Sequence, residues 1–65
     1  MKLYIARDKD GMARLYSGEP WKNEPTGTFH GAVTIMMLYE EFPEITWENS
    51  PQQVELKLIN NGNQD

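Results

Sequence analysis

The sequence predicts a mainly β fold, a small antiparallel sheet built on an N-terminal hairpin, and three observations lead to it. Apolar and polar residues alternate from Lys2 to Arg7. A turn signature, Asp8-Lys9-Asp10-Gly11, follows at once. The longest apolar-rich run, Ala32 to Tyr39, would be apolar on all sides if wound into a helix. The alternative is an α+β fold with one short helix at 32–42 or 51–59.

In the first element Leu3 and Ile5 share one face, with Lys2, Tyr4 and Ala6 on the other. That is the pattern of a half-buried strand. Asp8 suits the first turn position, and Gly11 suits the left-handed position of a three-residue hairpin loop. Placing Lys9, Asp10 and Gly11 in the loop pairs Asp8 with Met12, Ile5 with Leu15 and Tyr4 with Tyr16. The reverse face then carries an aromatic pair, with Arg14 beside it.

Ser17 to Gly31 holds Gly18, Pro20, Pro25, Gly27 and Gly31 and few apolar residues. It reads as an extended loop anchored by Trp21 and Phe29. In 32–41 the β-branched Val33, Thr34 and Ile35 favour a strand, and Glu40 and Glu41 would lie unfavourably at the negative end of a helix dipole. Pro43 ends this element. Glu44 to Glu48 alternates about Ile45 and Trp47 as a short strand would, and Asn49-Ser50-Pro51 reads as a turn. Val54, Leu56 and Leu58 alternate with polar residues, which favours a strand. Ser50, Pro51 and Gln53 also form a helix-capping pattern, the basis of the helical alternative. The expected domain is 1–59, with 60–65 a disordered tail.

At 65 residues the core is thin. The chain has no cysteine and a single histidine, His30. Disulfides, thiolate metal sites, thiol nucleophiles and histidine clusters are therefore excluded. No signal-peptide pattern follows Met1, and no apolar run is long enough to span a bilayer. A cytoplasmic location with no membrane contact is the expectation. The net charge of −4 is uneven: residues 1–22 carry a surplus of two positive charges, and residues 23–65 a surplus of six negative ones. Cations alternating with acids make a poor nucleic-acid stripe, so direct nucleic-acid binding is not expected.

The segments 1–11 (MKLYIARDKDG) and 42–56 (FPEITWENSPQQVEL) resemble the two ends of a group of short proteins from gut bacteria and their phages or other mobile elements. The match covers 26 of the 65 residues and omits the centre. No activity is established for that group, so the resemblance implies no site residues.

Individual motifs point away from catalysis. Asp8, Asp10 and Gly11 have the start of a calcium loop but not its later ligands. Glu40, Glu41, Glu44 and Glu48 lack room for a cleft with paired carboxylates. His30 with Ser17 or Ser50 lacks a nucleophile-elbow pattern, and Thr26 to Gly31 lacks the lysine and frame of a phosphate loop. No catalytic residue, metal ligand or cofactor is assigned. The aromatic residues Trp21, Phe29, Tyr39, Phe42 and Trp47 either form the core or face a partner. The partner-facing candidates are Trp21, Met36, Leu38 and Trp47. The expected function is a non-catalytic protein-interaction or accessory module, its partner an unidentified protein or a second copy of the chain. The alternative is an acidic inhibitor or mimic that occupies a basic, nucleic-acid-binding surface on a target.

Overall fold

A computed structural model describes residues 2–55, and the backbone but not the side chains of residues 35–37. Six strands form in chain order: β1 Lys2–Arg7, β2 Ala13–Tyr16, β3 Trp21–Asn23, β4 Thr28–His30, β5 Val33–Leu38 and β6 Gln52–Glu55. They build a four-stranded sheet in the order β5-β2-β1-β6 and a two-stranded sheet of β3 and β4. Every pairing is antiparallel, and the described residues contain no helix. The fold is mainly β.

The β1–β2 hairpin has the register its turn chemistry demands, with Tyr4 opposite Tyr16 and Ile5 opposite Leu15. The Asp8 amide donates to the Met12 carbonyl at 2.8 Å, and the Gly11 amide to the Asp8 carbonyl at 3.0 Å. Gly11 has φ +99°, a conformation that costs glycine little. Asp10 Oδ1 accepts the Met12 amide at 2.9 Å and fastens the loop.

Pleating divides the hairpin between two clusters. Ile5 and Ala13 pack with Ile45, and Leu15, Leu38 and Val54 close around them. On the other face Ala6 and Tyr16 pack with Phe29, flanked by Tyr4 and Trp47. Covering both faces of one short hairpin compensates for the thin core of a small chain.

Residues 17–31, expected as an extended loop, instead contain the second hairpin. Its turn places Gly27 at φ +72°, with the Gly27 amide donating to the Asn23 carbonyl at 2.9 Å. Strands of three residues with a single buried side chain have too short a period to detect. The anchor of the segment is Phe29, only 3% exposed; Trp21, also expected to anchor it, is 63% exposed.

The strand expected at 44–48 does not form, and turns occupy that stretch. Asn49 Oδ1 accepts the Thr46 amide at 2.7 Å, and Thr46 Oγ1 accepts the Asn49 amide at 3.2 Å. Such local side-chain bonds compete with strand pairing. Ile45 and Trp47, two residues apart, consequently enter different clusters rather than sharing one face.

The two ambiguous segments both contain strands. β5 uses six residues against the four of β2, and its register shifts twice. Thr34 Oγ1 donates to the Leu15 carbonyl at 3.1 Å in this irregular stretch. Bulging of this kind twists an exposed sheet edge and discourages indiscriminate pairing. β6 is a strand over Gln52–Glu55; the rest of the expected 51–59 element and the expected tail at 60–65 lie outside the described residues.

Candidate functional site

Arg7 is the third residue of the face that Leu3 and Ile5 bury, and a cation there requires acceptors. Its Nε donates to the Ile45 carbonyl at 2.6 Å. Nη1 donates to the carbonyls of Gly11 at 2.6 Å and Tyr39 at 2.9 Å. Nη2 donates to those of Glu41 at 2.8 Å and Phe42 at 3.1 Å. An arginine has five N–H donors, and here the five contacts go to backbone oxygen. The Arg7 amide also donates to Ser50 Oγ at 2.9 Å. One side chain thus gathers the hairpin loop and the 39–45 connection.

The gathered loop is strained and presents aromatic surface. Phe42 has φ +57°, the left-handed region that L-residues other than glycine rarely occupy. Such strain persists where surrounding bonds over-determine it, as those of Arg7 do here. Tyr39 is 62% and Phe42 46% exposed. Glu40, Glu41 and Glu44 are exposed around them, and Glu41 Oε1 accepts the Tyr39 amide at 3.0 Å. The result is a shaped, acidic, aromatic surface.

A second constellation lies where the two sheets meet. Asp8 is 3% exposed and holds two donors: the Phe29 amide at 2.9 Å on Oδ1 and Arg14 Nη1 at 2.9 Å on Oδ2. The Tyr16 hydroxyl donates to the Phe29 carbonyl at 3.4 Å, and the Lys9 amide to the Gly27 carbonyl at 2.9 Å. Side-chain and loop groups therefore complete the outer edge of β4, where a neighbouring strand would otherwise sit. Burial pushes the Tyr16 phenol above the usual tyrosine value; Asp8 adds to the shift and Arg14 opposes it. Burial works against the charge of Arg14. The hydrogen bond and charge of Asp8, with the Tyr16 hydroxyl nearby, outweigh it and leave the guanidinium more basic than usual. Beside this junction opens a cleft of about 350 Å³, lined by Asp8, Asp10, Arg14, Tyr16, Thr28 and His30, with Phe29, Gly31 and Val33 completing it.

The residues singled out in the sequence are dispersed. Trp21 stands exposed on β3, its ring stacked on His30 at 5.8 Å. Leu38 packs against the Ile5 cluster. Trp47 meets Phe29 edge to face at 5.2 Å, with Lys22 Nζ 4.5 Å and Lys9 Nζ 5.5 Å from its ring centre. The side chain of Met36 lies outside the described residues. The sequence did not mark Arg7 as a site residue, and it marked Asp8 only as a turn residue and not as the link between the two hairpins. The available signal was an arginine in phase with Leu3 and Ile5, which must find acceptors on a buried face.

Among the described residues, no group of three or more His, Asp or Glu side chains could hold a metal, and no helix is long and apolar enough to cross a membrane. Fold and sites together define a small antiparallel β protein with a clamped aromatic–acidic loop. No protein family matches the chain, and neither does any curated protein or solved structure.

Proposed function

We propose that this chain is a non-catalytic protein-interaction module whose contact surface is the 39–44 loop. The observation that carries the reading is the Arg7 clamp. Five hydrogen bonds hold a loop in which Phe42 is strained and half exposed. A strained aromatic held towards solvent contributes little to folding, whereas a preordered aromatic anchor lowers the entropy cost of binding. Tyr39 and Phe42 would fill apolar recesses on the partner, and Glu40, Glu41 and Glu44 would face a basic rim. The absence of cysteine suits work in a reducing compartment such as the cytoplasm.

The three carboxylates also favour a second reading, an acidic inhibitor or mimic on a basic, nucleic-acid-binding surface. The two differ in their response to salt: an aromatic anchor binds almost independently of it, and an acidic mimic weakens steeply. A photo-crosslinking residue at Tyr39, used in the cells that make the protein, tests the surface. Purified wild-type protein should compete away a discrete cross-linked partner, and folded Phe42→Ser protein should not. Equal competition by both would remove the loop from the interface. Repeating the competition at rising salt separates the two readings. Sedimentation of the purified chain tests whether the partner is a second copy.

A further inference from the structure

We propose that the cleft between the two sheets is a binding site for a small, neutral, polyhydroxylated ring, a saccharide in chemical class. The inference is independent of the loop surface, because the cleft has different lining residues. Its volume of about 350 Å³ lies near the lower end of the ~300–1,000 Å³ typical of small-molecule sites.

The polar groups of the lining are held in place before any ligand arrives. Arg14 is fixed by Asp8 at 2.9 Å, Asp10 by the Met12 amide at 2.9 Å, and His30 Nε2 by Thr28 Oγ1 at 3.0 Å. Each keeps an atom bonded to no other group among the described residues: Arg14 Nε, Asp10 Oδ2 and His30 Nδ1. Arg14 Nε is a donor, Asp10 Oδ2 an acceptor, and His30 Nδ1 either one, depending on tautomer. Hydroxyl groups, which both donate and accept, match such a mixture.

Charge narrows the class further. Asp8 and Arg14 compensate each other, and Asp10 leaves the lining with one net negative charge when His30 is neutral. A phosphate or carboxylate ligand is repelled by that surplus, and a cation must approach Arg14. A purely apolar ligand would strand the unpaired polar atoms. His30, one of the lining residues, stacks on the ring of Trp21, which lies outside the lining and is 63% exposed. The His30 ring, held by Thr28 and Trp21, gives the cleft an exposed aromatic surface for the apolar C–H face of a sugar ring, and the fixed polar groups meet its hydroxyl edge.

The test is an amide-resolved NMR titration of the full chain with neutral mono- and disaccharides, beginning with methyl glucosides, methyl galactosides and N-acetylglucosamine, followed by a glycan array. Inorganic phosphate and acetyl-arginine amide serve as the anionic and cationic probes. The expected result is saturable shifts at Asp10, Thr28, His30 and Gly31 with at least one saccharide, at affinities on the order of millimolar for a single ring. Asp10→Asn keeps the Oδ1 acceptor of the loop but removes the charge, and should weaken binding about tenfold with the melting curve unchanged. Trp21→Ala, which removes the ring that His30 stacks on, should also weaken binding without unfolding the chain. Saturation by phosphate or acetyl-arginine amide but by no saccharide would overturn the assignment. Failure of every glycan on the array would do the same, as would saccharide binding that both variants leave unaltered.

Discussion

Asp8 Oδ1 accepts the Phe29 amide at 2.9 Å across 21 residues of chain, so a carboxylate of the first hairpin completes the edge of the second. The same carboxylate pairs with Arg14, which aligns it. The β3–β4 hairpin has one buried apolar anchor, Phe29, and full burial of a phenylalanine contributes only about 1.5–3 kcal/mol. The position of this hairpin on the main sheet therefore depends heavily on Asp8.

Asp8→Ala should separate the two hairpins. Removing one member of a fully buried ion pair costs about 3–5 kcal/mol. Arg14 is 31% exposed, and solvent reduces the expected loss to about 2–3 kcal/mol. Urea denaturation measures it, and hydrogen exchange at the Phe29 amide should accelerate more than exchange at Ile5. Asp8→Asn, which retains an acceptor for that amide, should fall between. Equal protection of Phe29 in wild type and Asp8→Ala would remove Asp8 from this role.

Arg7→Lys should loosen the 39–45 loop while sparing the Ile5 cluster. An ammonium cannot reproduce a planar fork that reaches five carbonyls, and a loss of about 2 kcal/mol is expected. Limited proteolysis should cleave between residues 39 and 44 sooner than in wild type. Phe42→Gly should leave the melting temperature equal or higher, because glycine relieves the positive φ. A clear fall on Phe42→Gly would show that the Phe42 ring contributes to folding after all.

Gly11→Ala should cost roughly 1 kcal/mol, from backbone strain alone. No atom lies within 4 Å of where the added Cβ would stand, while φ is +99°. An unchanged chemical-denaturation midpoint would contradict the hairpin loop as described.

Stability should decline on the alkaline side through Tyr16. Its phenol is pushed above the ordinary value of 10.0 in the folded chain, chiefly by burial. The folded state therefore keeps its proton at a pH where the unfolded chain has lost it. This contribution is complete below about pH 10 and is lost as pH rises through the folded value. Tyr16→Phe should flatten the fall in melting temperature above pH 10. The Tyr16 hydroxyl bond to Phe29 is long, 3.4 Å, so the neutral-pH stability of that variant should change little. An undiminished alkaline slope in Tyr16→Phe would assign the loss to other groups.

The parts of this protein that rest on local chemistry are legible in its residues alone. The first hairpin, its three-residue loop and its pairing of Tyr4 with Tyr16 follow from two-residue alternation and the conformation open to Gly11. The strand character of 33–38 follows from β-branching and from apolar residues on every side of a hypothetical helix. The features that depend on distant partners emerge only in the folded chain. The β3–β4 strands offer one buried residue in six, and the bonds of the Phe29 amide to Asp8 and of the Lys9 amide to the Gly27 carbonyl show why the hairpin stays in place. Ile45 and Trp47 alternate like a strand, yet the bonds between Thr46 and Asn49 turn the chain and send the two side chains to different clusters. Arg7 stands in phase with Leu3 and Ile5 in the sequence, but its five carbonyl acceptors, four of them more than thirty residues away, are set by the fold. Alternation reports which face a residue occupies. It does not report which remote backbone groups must be satisfied there, and in this chain those groups shape both candidate sites.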